Sequence, residues 1–463
     1  MKIPVVVNHR FFILLVCIFA FCVGLNAHLA TAQDRWMNQQ FMPRANAEFK
    51  RGDRHIGPEK IPLPMTVTKV NGDWLWVHAA WVQKSKVVPL DQAINYYTDQ
   101  IRRNPRNAWA YNMRGVSRKV DAGLFDDEAS IKALADYNES IRYNPQNFAA
   151  WYNRAGMFFD WDGDMFWSEN EDLENARDDY GEVIRLKPNW SSPYFRRGLI
   201  LSWLGKTDAA LRDLDKAVEL GPEEDEVVEL YFQRGQLLHA KKRHAQAIAD
   251  YTEVIRRRPK GFRYYMSRGH AFHANGDYDK AIADFGKVIE IGFDEHWAHE
   301  YRGDAWRAKG DSVKAKAEYA AALRAKPDLA EQLCDWASDA SKSGFFKSAI
   351  DYYDRATRID EKHAQGFNGI AWVLATCQAD SLRDGKKAVV MATRACELTE
   401  WKDHGYLDTL AASYAESGDF KEAVRWQLKA KDLAPADEKD DFQSRVSLYK
   451  SAKPYRTNVT PKG

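Results

Sequence analysis

Cysteine is scarce in this sequence of 463 residues: there are five, and Cys17 and Cys22 lie in an apolar leader, so only Cys334, Cys377 and Cys396 remain beyond it. Three cysteines over that length exclude a disulfide framework. A Cys377–Cys396 bridge would join two helices of one hairpin at different heights, so buried apolar thiols are the expectation. Charge bias is also absent, with 67 basic against 66 acidic residues. Nothing therefore pulls the chain as a whole toward nucleic acid or an anionic membrane. The runs Lys241-Lys242-Arg243 and Arg256-Arg257-Arg258 are short and read as solvated helix faces, so no nucleic-acid partner is expected. No nucleophile elbow, phosphate-binding loop or dinucleotide fingerprint occurs, and Cys377 has no histidine near it in sequence. The expectation is a protein that is not an enzyme and carries no cofactor.

Long hydrophobic runs are missing except at the start. Lys2 and Arg10 precede the apolar stretch Phe11 to Leu25, and Ala30-Thr31-Ala32 supplies small residues where a signal peptidase needs them. Residues 1–32 read as a secretory signal peptide cut before Gln33. The run is short for a membrane-spanning helix, and an uncleaved anchor is the alternative and the sole route to a membrane. The protein is thus expected in the periplasm or cell envelope of a bacterium, or secreted. Residues 33–45 read as a flexible lead-in.

Residues 46–89 differ from everything that follows. Pro58, Pro62 and Pro64 exclude long helices. Met65 to Val70 alternates as a strand does, Asn71-Gly72 predicts a hairpin turn, and Trp74 to Val77 and Ala80 to Val82 continue the strands. The run from Val70 to Val77, followed by Trp81-Val82 and Val87-Val88-Pro89, resembles a small bacterial SH3-like barrel.

From residue 90 to 435 prolines set a beat: Pro105, Pro145, Pro188, Pro222, Pro259, Pro327 and Pro435. Twelve residues before each stands an alanine, from Ala93 to Ala423, and eight before stands an aromatic at Tyr97, Tyr137, Tyr180, Tyr251 and Tyr319. Small residues such as Gly115, Ala155 and Gly198 return ten residues after a proline. A fixed period near 34 residues marks a stacked-repeat array. These positions resemble the tetratricopeptide repeat (TPR): small at 8, alanine at 20, aromatic at 24, proline at 32. The resemblance implies a mainly α fold, a right-handed α-solenoid of about nine helix pairs, preceded by the small β module. Pro145, Pro188, Pro222, Pro259, Phe293, Pro327, Glu361, Glu400 and Pro435 close the pairs. A closing helix from Glu438 to Tyr449 and a frayed tail from Ser451 follow.

One pattern lies outside that consensus. Position 7 is Arg114, Arg154, Arg197, Arg234, Arg268 and Arg302 in six successive pairs, and position 23 is Asp136, Asp179, Asp213, Asp250, Asp284 and Glu318. In the next three pairs both switch together, to Trp336 with Tyr352, Ile370 with Met391, and Leu410 with Trp426. An unpaired charge between helices is costly, so losing one partner demands losing the other. The covariation predicts a partly buried arginine–acid contact inside each hairpin or to the adjoining one.

The candidate sites follow from the array. Asp160, Asp162, Asp164 and Glu171 have the spacing of a calcium loop, but Met165 stands where that loop needs glycine. The segment reads as an acidic connection, with a calcium-responsive site as an alternative and no metal assigned. The resemblance implies a partner-binding groove lined by first-helix positions 2, 5, 9, 12 and 13. These include Trp109, Asn112, Tyr152, Phe195, Trp203, Phe232, Gln236, His239, Met266, His270, His273, Asp304 and Arg307. His239, His270 and His273 also raise metal binding or pH sensing as an alternative. The asparagine–lysine clamp by which some relatives hold a C-terminal carboxylate is absent, which argues against a chaperone-tail partner. The function expected is an exported scaffold binding protein or peptide partners; the alternative is a cell-envelope structural or assembly component that uses its convex surface and ends.

Overall fold

The structure is a computed structural model, and it describes residues 36–52, 54–56, 63–122, 127–159, 170–293 and 295–462. The leader and the acidic segment Asp160 to Asp164 lie outside the described residues.

Seven antiparallel strands come first: β1 (Gln40–Pro43), β2 (Phe49–Arg51), β3 (Arg54–Ile56), β4 (Met65–Asn71), β5 (Trp74–Val77), β6 (Ala80–Gln83) and β7 (Val87–Pro89). Their order in the sheet is β3-β2-β6-β5-β4-β1-β7. Period-2 alternation puts Met65, Val67, Leu75, Val77 and Val82 on one buried face with Phe41 and Phe49. Two expectations are corrected. The lead-in of residues 33–45 contains a strand, because β1 bridges β4 and β7 and buries Phe41 and Met42. Trp36 stacks on Phe41 at 4.9 Å and anchors the entry to that strand. The hairpin expected at Asn71-Gly72, between β4 and β5, turns one residue later. Asn71 pairs with Trp74, so Gly72-Asp73 form the loop, and Gly72 alone takes a positive φ of +55°. The Tyr97 hydroxyl donates to the Pro43 carbonyl at 2.6 Å and ties the module to the first helix.

Twenty helices follow among the described residues. Helix α1 (Leu90–Arg103) precedes nine hairpins: α2/α3 (Ala108–Ala122, Asp127–Tyr143), α4/α5 (Phe148–Phe158, Asn170–Leu186), α6/α7 (Ser191–Trp203, Thr207–Leu220), α8/α9 (Val227–Ala240, His244–Arg257), α10/α11 (Phe262–Ala274, Tyr278–Ile291), α12/α13 (Glu295–Ala308, Ser312–Ala325), α14/α15 (Leu329–Lys342, Phe346–Ile359), α16/α17 (Ala364–Thr376, Gly385–Leu398) and α18/α19 (His404–Glu416, Phe420–Leu433). Helix α20 (Lys439–Lys450) closes the series. The chain divides into two compact units, Met1–Leu230 and Tyr231–Gly463. At two of the three places where proline lapses, left-handed residues end the helix instead: Gly292 at φ +78° after α11, and Glu400 and Trp401 at +54° and +61° after α17; before Glu361 the helix ends on an extended Asp360.

Close approach within a hairpin explains the small residue at position 8. A Cβ on Gly235 would stand 2.7 Å from the Tyr251 ring, and one on Gly269 would stand 2.7 Å from Phe285. The aromatic at position 24 occupies that space. The expected arginine–acid contacts are present in all six hairpins, at 2.6–2.9 Å. Each guanidinium reaches from the first helix to the acid of the second, and most are bidentate, as in Arg268 to Asp284 at 2.8 Å on both oxygens. The remaining nitrogen of Arg114, Arg154 and Arg268 donates to Thr98, Asn138 and Thr252 on the helix that precedes each hairpin. One residue thus fixes both the hairpin and its stacking. Beyond Pro327 the same sites are apolar: Trp336 meets Tyr352 edge-on at 5.9 Å, and the other two pairs join hydrophobic clusters.

Asp284→Ala leaves the mostly buried Arg268 guanidinium without its counter-ion and is expected to cost about 3 kcal/mol in urea unfolding. The double change Arg268→Leu with Asp284→Leu is expected to cost much less, because no uncompensated charge remains. Equal losses in the two variants would show that the pair does not act as a unit.

All three described cysteines are free and buried, so no Cys377–Cys396 bridge forms. The frayed tail is a further correction. After α20 the chain runs extended across the C-terminal ends of α18, α16 and α14. Thr457 N–H donates to Thr376 O at 3.0 Å, and Lys462 N–H donates to Gly344 O at 2.8 Å. Val459 and Tyr455 pack on the hydrophobic cluster beneath.

Candidate partner-binding face

The thirteen groove candidates separate by position. Residues at positions 2 and 5 are taken up by packing between hairpins. Asn112, Phe195 and Phe232 are buried and present no surface, which corrects the expectation that they line a groove. Phe232 meets Tyr264 of the next hairpin edge-on at 5.2 Å, and Asn112 accepts from Asn153 Nδ2 at 3.0 Å. Trp109 meets Tyr97 edge-on, Tyr152 stacks on Trp190 at 4.7 Å, and Met266 packs on the Phe285 cluster.

Positions 9, 12 and 13 behave differently. Trp203 at 13, Gln236 at 9 and Arg307 at 12 are exposed. Asp304 is engaged: it accepts from the Tyr319 hydroxyl at 2.6 Å and pairs with Arg358 at 3.0 Å. The open face is therefore the C-terminal half of the first helices, in each unit taken by itself.

The histidines do not converge on one point. His239 Nδ1 lies 3.1 Å from His244 Nδ1, whereas His270 sits against Tyr301 and Phe285 and His273 against Tyr278. Burial first, and then the nearby His239, His273 and Arg355, push the His270 imidazole down to about 4. Among the described residues no group of three or more His, Cys, Asp or Glu is placed to hold a metal ion. Glu171 is exposed at the start of α5.

A cysteine–histidine contact that the sequence did not suggest joins Cys334 Sγ to His363 Nδ1 at 3.6 Å. Burial pushes that thiol up to about 12, so it stays protonated and is no nucleophile. A cleft of about 910 Å³ in the N-terminal unit is lined by Trp151, Arg154, Asp179, Arg197 and Asp213. Those four charged groups form two of the arginine–acid pairs, and Arg177, Asp178, Glu182 and Arg212 also line the cleft. No described helix is long and apolar enough to cross a membrane.

Sequence reasoning missed residues that the last two hairpins and α20 bring together under the tail: Trp372, Thr376, Gln378, Glu416 and Arg445. Trp372 is at position 9 of its helix, Thr376 and Glu416 at position 13 of theirs. The signal available was an aromatic–basic pair, Tyr455-Arg456, inside an otherwise polar terminus.

These features define a class: an array of helical hairpins clamped by internal ion pairs, with an open strip on its first helices and no catalytic constellation among the described residues. The helical array is built of tetratricopeptide-type repeats. The profile of the Tetratricopeptide repeat family matches residues 195–252 and 232–292, and the same register continues on both sides. Similar proteins include Tetratricopeptide repeat protein 13 of Homo sapiens, 25% identical over 38% of this chain. The chain spans 18% of the length of that relative. Photosystem I assembly protein Ycf3 of Acaryochloris marina (strain MBIC 11017) is 26% identical over 28% of this chain and 66% of its own length. Among solved structures, YrrB, described as a TPR protein with an unusual peptide-binding site, is 19% identical over 42% of this chain and 93% of its own, with a TM-score of 0.37. The repeat class implies a protein–protein interaction scaffold, and its folds are typically non-catalytic.

Proposed function

We propose that this chain is an exported scaffold that binds peptide or protein partners on the C-terminal half of its first helices. The observation that carries the reading is the division of the repeat face. Positions 2 and 5 are consumed by stacking, while Trp203, Gln236 and Arg307 stand in solvent. Exposed tryptophan, arginine and amide side chains are the chemistry that anchors partners at interfaces. Export rests on the basic, apolar and small-residue order of the leader. The β module, on its SH3-like resemblance, is a second recognition element joined to the array.

The test is capture from an envelope fraction with the mature chain. Trp203→Ala combined with Arg307→Ala is expected to lower recovery of a bound partner by about tenfold. Both residues are exposed, so the melting temperature is expected to stay put. Full retention of every captured partner would overturn the assigned face and favour a structural role for the convex surface and ends.

A further inference from the structure

The segment Pro454–Lys462 lies across the first-helix strip of the last three hairpins in the manner of a bound peptide. The Tyr455 ring rests on Trp372 with centroids 5.7 Å apart, and the Arg445 guanidinium lies 5.1 Å from the tyrosine centroid. Arg456 pairs with one oxygen of Glu416 at 2.5 Å, while Arg383 holds the other at 3.0 Å. Thr457 is gripped at both ends of its residue: its N–H donates to Thr376 O, and its carbonyl accepts from Gln378 Nε2 at 2.9 Å. At the far end Lys462 N–H reaches Gly344 O.

Main-chain hydrogen bonds, one aromatic anchor and one ion pair are the contacts by which an extended peptide is recognised. They differ from those that hold the helices. The segment has no secondary structure of its own, its residues are half-buried or exposed, and none of its side chains enters a helix–helix core. Trp372, Thr376 and Glu416 occupy positions 9 and 13, the same positions left open elsewhere in the array.

We infer that residues 454–462 are a reversible self-ligand, occupying in cis a channel on α14, α16 and α18 whose external ligand is an extended basic peptide with an aromatic residue directly before an arginine. This rests on the reading of the array as a peptide scaffold. A tethered segment competes at an effective concentration of order millimolar, so a weak cis contact suffices to keep the channel filled. A partner peptide must exceed that to enter.

The experiment uses the full chain and a labelled synthetic peptide of residues 453–463. Tyr455→Ala with Arg456→Glu weakens the cis segment without touching the channel. This variant is expected to bind the labelled peptide at least about tenfold more tightly than the wild type. Adding Glu416→Ala to it is expected to remove that gain. Gly344 belongs to the channel itself, since a Cβ there would stand 2.2 Å from Thr460 O. Added to the released variant, Gly344→Asn is therefore expected to lower binding of the labelled peptide, whereas Gly310→Asn, also at a left-handed turn but with no neighbour within 4 Å, is expected to leave it unchanged. In the wild type, the Thr457 and Lys462 amides are expected to exchange together and well before those of α16.

No peptide binding by the released variant, or exchange of the Thr457 amide only on global unfolding, would overturn the inference and make the segment a fixed strap. A concentration-dependent dimer abolished by Arg456→Glu would assign the channel to a second copy and overturn the cis assignment. Loss of partners in the Trp203 and Arg307 variants tests the scaffold reading separately, since those residues lie outside this channel.

Discussion

Replacing Arg355 by alanine is expected to lower the stability of the C-terminal unit by about 3–5 kcal/mol, the largest loss from any single exchange considered for this chain. Arg355 on α15 holds Glu300 on α12 through two hydrogen bonds of 2.7 and 3.0 Å. Glu300 is 1% exposed. Burial pushes its carboxyl up, and Arg355 is the chief group pulling it back. Without the arginine that carboxylate faces a low-dielectric interior with no counter-ion. It then ionises only at a cost, or takes up a proton. The variant should therefore lose most stability at neutral pH and recover part of it in acid, where Glu300 is neutral. Tryptophan fluorescence in urea is a direct readout, because Trp297 stacks on Trp336 at 5.9 Å and carries the Arg355 guanidinium 5.1 Å from its centroid. A loss under about 1 kcal/mol would mean that solvent reaches Glu300 and that the bridge is no structural clamp.

The position of that bridge explains its weight. Between α12/α13 and α14/α15 the chain passes Pro327, where the arginine–acid pairs end. Arg355 and Arg358 reach back from α15 to Glu300 and Asp304 on α12, and Trp297 meets Trp336. The joint is made of crossing ion pairs and stacked rings in place of the repeated guanidinium clamp.

The second large effect concerns pH. His270 is held neutral in the fold, with its imidazole pushed from 6.5 down to about 4. A depressed histidine leaves stability intact above the unfolded value and removes it as the pH falls through the window from 6.5 to 4, because the unfolded chain takes up the proton first. At pH 5 the loss from this one group is about 2 kcal/mol. The groups that face it are His239, His273 and Arg355, all of which disfavour its charge, and the rings of Tyr301 and Phe285. His270→Phe matches the aromatic surroundings and carries no proton. Comparison of urea midpoints at pH 7.5 and pH 5 should show a flatter pH dependence for this variant than for the wild type. Identical pH profiles would place the acid sensitivity elsewhere.

How much of this was legible in sequence depends on range. The hairpin beat was legible because each repeat solves the same local packing problem: glycine or alanine at position 8 must admit the aromatic at 24, as Gly235 admits Tyr251. The ion-pair ladder was legible for a different reason. A guanidinium between helices cannot stand alone, so arginine and acid appear and vanish together, and the loss of both after Pro327 announced the change of joint. The groove was less legible. Phe195 and Trp203 lie on one helix and both read as groove aromatics, yet one is buried and the other exposed. Periodicity marks a face as apolar without saying how far the next hairpin covers it. Strand β1 was hidden in a stretch of only four paired residues whose partners lie on β4 and β7.

By itself, then, the amino-acid sequence determined the helix-pair period, the internal clamps and the point at which they stop, since these depend on residues brought together within one hairpin or its neighbour. Only the tertiary structure decided which first-helix positions stay open and that the polar terminus lies on them. Gln378 and Thr457 are 79 residues apart. Contacts of that span through main-chain atoms carry no side-chain pattern, so no reading of the chain alone can find them.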